Sequence, residues 1–285
     1  MDFDEEQLLE KITDADAILV GAGSGMSVAA GLDFWYRNDE NVLEQMGDFV
    51  EKYGFNGMFN GFYTRYPDQE TRWAFLAKLC SIMFNTPATK PVYDNLKKIL
   101  SGKKFHIMTT NADEMFNRYF DDDKISAIQG DWGFFQSSNT LTDQNLYDSI
   151  PYMKKIKNNI NNMQIPTELI PRSKVNGAIL EPWVRSQIFL EGDRYKAEYD
   201  KINTFIKDNQ EKKLLLLELG VGRMTPMFIQ QPFWNLTYNL PKASYVNINP
   251  KDAMTHPKIE DKSLVIHEDI NTVFADIVKN LQVSK

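Results

Sequence analysis

Short apolar runs of strand length punctuate this chain. Asp16 to Val20 carries Ala17, Ile18, Leu19 and Val20 straight into Gly21, the pattern of a buried strand that ends in a tight turn. Comparable runs stand at Phe105 to Met108, Ile125 to Ile128, Leu214 to Leu219, Tyr245 to Ile248 and Ser263 to Ile266. Between them apolar residues recur at helical spacing, over Trp73 to Met83, Val92 to Leu100, Arg194 to Lys207 and Ile270 to Leu281, with a shorter helical pattern at Leu8, Leu9 and Ile12. Strands alternating with helices predict an α/β fold, a parallel sheet covered by helices on both faces.

Two stretches break the alternation. Asn38 to Thr71 is rich in Phe, Tyr, Gly and Asn, and its apolar residues Leu43, Met46, Phe49, Val50 and Tyr53 predict short helices in an inserted module. Asp131 to Glu181 turns polar, with NNINNM at Asn158 to Met163, and shows no long periodic segment, so it reads as a second insertion.

Composition narrows the function classes. The 285 residues are 42% hydrophobic and 12% aromatic, which is the make-up of a folded protein. Thirty-two basic against thirty-nine acidic residues give a net charge of -7, which opposes binding to a phosphate backbone unless basic side chains cluster locally. The opening MDFDEEQ lacks the basic start and apolar core of a secretory signal, and no apolar run approaches the roughly 18 residues of a membrane span, so a cytoplasmic protein without membrane contact is expected. Cys80 is the single cysteine, which leaves no intrachain disulfide and no thiolate-rich zinc site.

Five short motifs fall where predicted strands run out. After Val20 comes GAGSGMSVAAG, Gly21 to Gly31, a turn in which glycines would let a backbone approach a diphosphate at a helix N-terminus, or would simply let a helix pack close to a strand. TTNADE, Thr109 to Glu114, puts Asn111 and Asp113 on the same rim, as ligands for a ribose or an amide, or with Asn111 as a helix cap. Gln129-Gly130-Asp131, ELGVGRMTP from Glu218 to Pro226, and VNINP from Val246 to Pro250 complete the set.

Taken in order, these pieces resemble the sirtuins, NAD-dependent enzymes with a Rossmann-like large domain and a smaller domain made of two insertions. The sirtuin opening motif is echoed by Gly21, Ala22 and Gly23, then by Met26, Ser27, Ala29, Ala30, Gly31, Leu32, Asp33 and Phe34, with Ser24-Gly25 as an insertion and the usual proline missing. Thr109, Asn111 and Asp113 match the next motif, with Thr110 in place of glutamine. Gly220-Val221-Gly222 stands where Gly-Thr-Ser is usual, and Asn247 fits the adenosine-ribose asparagine. The resemblance implies a Rossmann-like NAD-binding domain of residues 1–37, 72–130 and 182–285, with a smaller inserted domain of residues 38–71 and 131–181.

It also implies roles. Gly21, Ala22 and Gly23, with Met26, would cradle the pyrophosphate, and Phe34 would shield the anomeric carbon. Asn111 would order the nicotinamide ribose, Asp113 would bind the carboxamide, and Gly220, Gly222 and Asn247 would complete the cofactor site. Trp35 takes the place of the usual arginine, with Arg37 as its substitute. The catalytic candidates are Asn111 and Gln129.

Two departures carry more information than the matches. Sirtuin deacylases use a histidine before a glycine as general base, and here Gln129 holds that position; an amide has no titratable proton near neutral pH, though it can hydrogen-bond a ribose hydroxyl. The two C-x-x-C elements would fall near Gln136 to Asn139 and Ser173 to Asn176, and neither contains cysteine, so no zinc is expected and Phe134, Phe135, Leu169, Ile170 and Trp183 become candidates to hold the insertion by packing. This combination resembles the microbial class M sirtuins. The resemblance implies NAD-dependent protein ADP-ribosylation, an acceptor of the lipoyl-carrier type related to the glycine cleavage carrier protein, and a macrodomain hydrolase partner. The rivals are an NAD glycohydrolase, a deacylase and a non-enzymatic NAD sensor. His106 and Cys80 read as core residues, and His256 and His267 as residues of solvent-facing turns.

Overall fold

A computed structural model describes residues 4–283. Residues 1–3 and 284–285, which belong to the expected NAD-binding domain, lie outside the described residues. Along the chain the elements are α1 (Glu5–Asp14), β1 (Ala17–Ala22), α2 (Ser24–Ala29), α3 (Glu40–Tyr53), α4 (Gly57–Tyr63), α5 (Gln69–Asn85), α6 (Val92–Ile99), β2 (Lys104–Thr109), β3 (Ile125–Ala127), β4 (Gly130–Ser137) and β5 (Leu146–Asp148). They continue as α7 (Ile150–Lys157), β6 (Leu180–Val184), α8 (Asp193–Asn209), β7 (Leu214–Leu219), α9 (Gln230–Asn239), β8 (Ser244–Ile248), β9 (Ser263–Ile266) and α10 (Ile270–Val283). The chain divides into two units. The first comprises the chain up to Gly31, Ala88–Gln129 and the chain from Asp193 on, and the second comprises Leu32–Pro87 and Gly130–Gly192.

The first unit is built on a six-stranded sheet in the order β3-β2-β1-β7-β8-β9, with every neighbouring pair parallel. Burial explains why these strands read as continuous apolar runs: β1 and β7 are buried at every position, so no alternation is left to see. The strand order reverses between β1 and β7, and in open α/β sheets the crevice outside the carboxyl ends at such a point receives the ligand.

The second unit holds a three-stranded antiparallel sheet, β5-β4-β6, together with α3, α4, α5 and α7. Periodicity does not predict this sheet. β4 is buried on both faces apart from Phe134, and its pairing with β6 shifts register between Gly130 and Phe135, so the period-2 signal is erased. Phe135, Ile170 and Trp183 are buried as expected, with Phe134 and Leu169 half-buried, and Trp73 packs edge-on to Phe135 at 5.2 Å between ring centres. Packing is not the whole account. The two segments expected to carry C-x-x-C elements meet in a hydrogen-bonded knot, where Asn176 Nδ2 donates to the Ser137 hydroxyl at 3.2 Å, the Asn139 carbonyl at 3.1 Å and the Thr142 hydroxyl at 2.8 Å. Beside it, the buried Asp143 carboxylate accepts from Ser173 at 2.6 Å and from Tyr147 at 2.7 Å. These hydroxyls and amides already satisfy one another and include no thiolate or imidazole, so they do not fit zinc. Among the described residues no group of three or more His, Cys, Asp or Glu side chains is placed to hold a metal ion.

Candidate active site

The carboxyl end of β1 is held against the carboxyl end of β7 by backbone alone. Gly23 N–H donates to the Leu219 carbonyl at 3.0 Å, and Gly25 N–H donates to the Gly220 carbonyl at 2.9 Å. A methyl group on Gly25 would stand 2.6 Å from Gly220 Cα, and Gly220 itself has φ +59, so the close approach needs glycine from both sides. Three of the residues expected to bind cofactor, Gly21, Ala22 and Met26, are buried. Gly21 lies inside β1, where a Cβ would meet Ile229 at 2.4 Å and Phe233 at 2.7 Å, so it admits α9 against the sheet. Met26 is fully buried, and so is Ala22. The turn requires glycine at both Gly23, where a Cβ would stand 2.8 Å from Val221 Cα, and Gly25, which the sequence reading places in an insertion.

The carboxyl end of β2 is tied to the same turn. Thr110 N–H and the Thr109 hydroxyl both donate to the Ala22 carbonyl at 3.0 Å. Asn111 Nδ2 then donates to the Gly23 carbonyl at 3.0 Å and to the Ser27 hydroxyl at 3.1 Å, which leaves its Oδ1 as the free acceptor of the side chain. No α-helix begins at Asp113, so Asn111 is not a helix cap.

Asp113 is buried, and Ser27 donates to its Oδ2 at 2.6 Å while Met115 N–H donates to its Oδ1 at 3.1 Å. Through this bond Asp113 orients Ser27, which in turn receives Asn111. Burial raises the Asp113 carboxyl above its ordinary range, against the bonds from Ser27 and Met115. Tyr93, on α6, lies 3.3 Å from the Ser27 hydroxyl, and burial followed by the Asp113 charge pushes its phenol well up. Ser27 and Tyr93 were not among the expected site residues. Ser27 stood in the quoted motif, whereas nothing in the sequence pointed to Tyr93.

Gln129 follows β3, where Ile128 N–H donates to the Thr109 carbonyl at 3.0 Å and so brings the chain beside the end of β2. The Gln129 Nε2 is buried and has no hydrogen-bond partner. A buried amide N–H left unpaired costs about 1–3 kcal/mol, a cost that an acceptor brought by a ligand would remove.

The remaining expected residues separate. Gly220 forms the turn already described, and Gly222 lies exposed in the loop beyond it with nothing within 4 Å of an added Cβ. Asn247 is not on the rim. It is fully buried, and its Nδ2 donates to Tyr245 OH at 3.0 Å, to Met254 O at 3.1 Å and to Glu218 Oε1 at 3.2 Å. Asn249, two residues on and past the strand, is the rim asparagine: its Nδ2 donates to the Val221 carbonyl at 3.0 Å, and its Oδ1 accepts from Lys251 and Asp252 N–H. Phe34 belongs to the second unit, buried in the turn Asp33–Trp35 with its ring 5.4 Å from that of Trp35, and Arg37 is paired with Asp33. His106 is a core residue, 2.8 Å from the Ser126 hydroxyl, and burial, with help from Lys201 and Lys124, lowers its imidazole to about 4. Cys80 is buried, and His256 and His267 are exposed.

No family model matches the chain. A protein ADP-ribosyltransferase of Staphylococcus aureus is 31% identical over 278 residues, covering 96% of this chain and 87% of that protein. A probable bifunctional ADP-ribose hydrolase/ADP-ribosyltransferase of Fusarium oxysporum f. sp. cubense is 27% identical over 238 residues, covering 78% of this chain and 38% of that protein. Among solved structures, a Sir2 homolog–NAD complex superposes with a TM-score of 0.57 at 14% identity, covering 98% of this chain and 94% of that one. A Sir2 homologue–ADP-ribose complex gives a TM-score of 0.57 at 15% identity, covering 100% and 98%. At such low identity these structures speak for the fold, the Rossmann-like architecture of Sir2 proteins.

Proposed function

Because the chain belongs to the sirtuin-type protein ADP-ribosyltransferases and is an NAD-dependent enzyme, we propose that Asn111 and Gln129 hold the nicotinamide ribose for transfer of ADP-ribose to a protein. The buried, unpartnered Nε2 of Gln129 carries this reading. NAD, when bound, supplies the bond between ribose and nicotinamide whose cleavage leaves ADP-ribose for the acceptor. In the proposal Gln129 Nε2 donates to one ribose hydroxyl and Asn111 Oδ1 accepts from another, with Asn111 locked by Ser27 and Ser27 by Asp113. Neither amide can remove a hydroxyl proton, so the site suits positioning and not the acyl transfer of a deacylase. The inferred acceptor is a protein of the lipoyl-carrier type, the inferred partner a macrodomain hydrolase that reverses the modification, and the inferred compartment the cytoplasm. Among the described residues no helix is long and apolar enough to cross a membrane.

Incubation with NAD labelled in its ADP-ribose part, alongside lipoylated and bare carrier proteins, should place label on the lipoylated one. Asn111→Ala and Gln129→Ala should each lower labelling about 100-fold, the usual loss for one positioned polar group, with the fold intact by circular dichroism. Nicotinamide release without label on any protein would make the enzyme a glycohydrolase. Deacetylation of acetyl-lysine peptides at a comparable rate would make it a deacylase, and full turnover by both variants would overturn the site assignment.

A further inference from the structure

On the second unit, a groove of about 500 Å³ runs between α7 and the turn Thr167–Leu169. Its floor is apolar, formed by Tyr152, Ile156 and Ile170, while Lys155 and Arg172 stand on its walls and Glu168 is the single acid that lines it. Lys155 and Arg172 are exposed, and Arg172 Nη1 donates to the Gly177 carbonyl at 3.2 Å without an ion pair among the described residues. Charge along the segment that forms the groove runs against the rest of the chain, while from outside it the Glu70 carboxylate of α5 accepts from Thr167 at 2.7 Å. From Ile150 to Lys174 there are five basic residues, Lys154, Lys155, Lys157, Arg172 and Lys174, against Glu168 alone, in a protein of net charge -7. Like charges concentrated in this way repel one another, and a partner of opposite sign relieves the repulsion and is steered in from a distance.

We propose that this groove binds an acidic, extended segment of another protein, with an apolar side chain on the Tyr152–Ile156–Ile170 floor and flanking carboxylates on Lys155 and Arg172. The floor decides between polyanions. A nucleic-acid backbone gains nothing from an aliphatic surface and is opposed by the net charge of the chain, whereas a peptide of alternating acidic and apolar residues satisfies wall and floor together.

The proposal is tested without NAD, so it stands or falls independently of the transfer reaction. A dye-labelled peptide alternating glutamate and leucine is titrated against the full chain by fluorescence anisotropy, with a lysine–leucine peptide and a single-stranded oligonucleotide as comparisons. Saturable binding of the acidic peptide is expected. It should weaken at least about 10-fold in the double variant Lys155→Glu, Arg172→Glu and several-fold in Tyr152→Ala, and it should fall as salt is raised. Circular dichroism of the double variant should be that of the parent, since both altered side chains are exposed. Equal binding by parent and double variant, absence of saturable binding, or preference for the oligonucleotide would each overturn the proposal.

Discussion

At Glu218 the fold buries a carboxyl group between strands: Tyr245 OH donates to Oε2 at 2.7 Å, and Gln230 and Asn247 amides donate to Oε1 at 3.2 Å. Burial nonetheless raises its titration from 4.5 to about 7, against the bonds from Tyr245 and Gln230. The folded state therefore holds a proton that the unfolded state releases, and the stability tied to it, present below 4.5, is lost as pH rises to about 7. His106 works the other way. Its imidazole falls from 6.5 to about 4, so its contribution is present above 6.5 and is lost as pH falls towards 4. Each shift corresponds to roughly 3 kcal/mol, and between the two ordinary values the two effects oppose. Glu218→Gln should remove one of them: subtracting parent from variant stability, measured by denaturant unfolding across this range, should give a difference that grows with pH and levels off above about 7. A flat difference would show that Glu218 ionises in the fold as readily as in the unfolded chain, with no raised titration. The sequence displayed Glu218 within a quoted motif, yet its task comes from Gln230, Tyr245 and Asn247 on two other elements, which no local pattern exposes.

The element scale is where the chain was most legible, because the parallel strands are apolar throughout and the helices between them are amphipathic. The observed strands of the first unit coincide with the expected runs to within two residues at either end. Turns were less legible, since what a turn requires is set by the backbone that passes it. Gly25 illustrates this: its constraint is Gly220, which lies at the end of β7 and is remote in sequence. Gly25→Ala should therefore cost about 1–3 kcal/mol of stability, the usual penalty for overpacking, and more in NAD turnover. Gly222→Ala, with open space around it, should stay within about 0.5 kcal/mol of the parent. Thermal unfolding of the pair checks the contrast, and equal midpoints would remove the argument for close backbone packing at this turn. β4 and β6 were illegible because buried polar residues, Asp131, Gln136 and Ser137, interrupt β4 and its pairing with β6 shifts register, leaving neither an apolar run nor alternation.

In the second unit, hydrogen bonds between side chains join the two segments where the C-x-x-C elements would fall. The lack of cysteine pairs was plain from composition, because one thiol cannot make a tetrahedral thiolate site. What stands in its place was not plain, since Ser137, Asp143, Ser173 and Asn176 are ordinary polar residues whose meeting depends on the antiparallel sheet. Burial alone would raise the Asp143 carboxyl, but the bonds from Ser173, Asn145 and Tyr147 hold it below its ordinary value. Removing that acceptor leaves two hydroxyls without their partner, at a cost of about 1–3 kcal/mol. Asp143→Ala should accordingly lower the thermal midpoint by several degrees, and the contribution of this carboxylate should fade as acid protonates it, because the folded state binds its proton less readily than the unfolded chain. Treatment with EDTA, by contrast, should leave the midpoint of the parent unchanged. A midpoint that drops on chelation, together with one zinc per chain by elemental analysis, would mean that the knot of hydroxyls and amides is not what holds these loops.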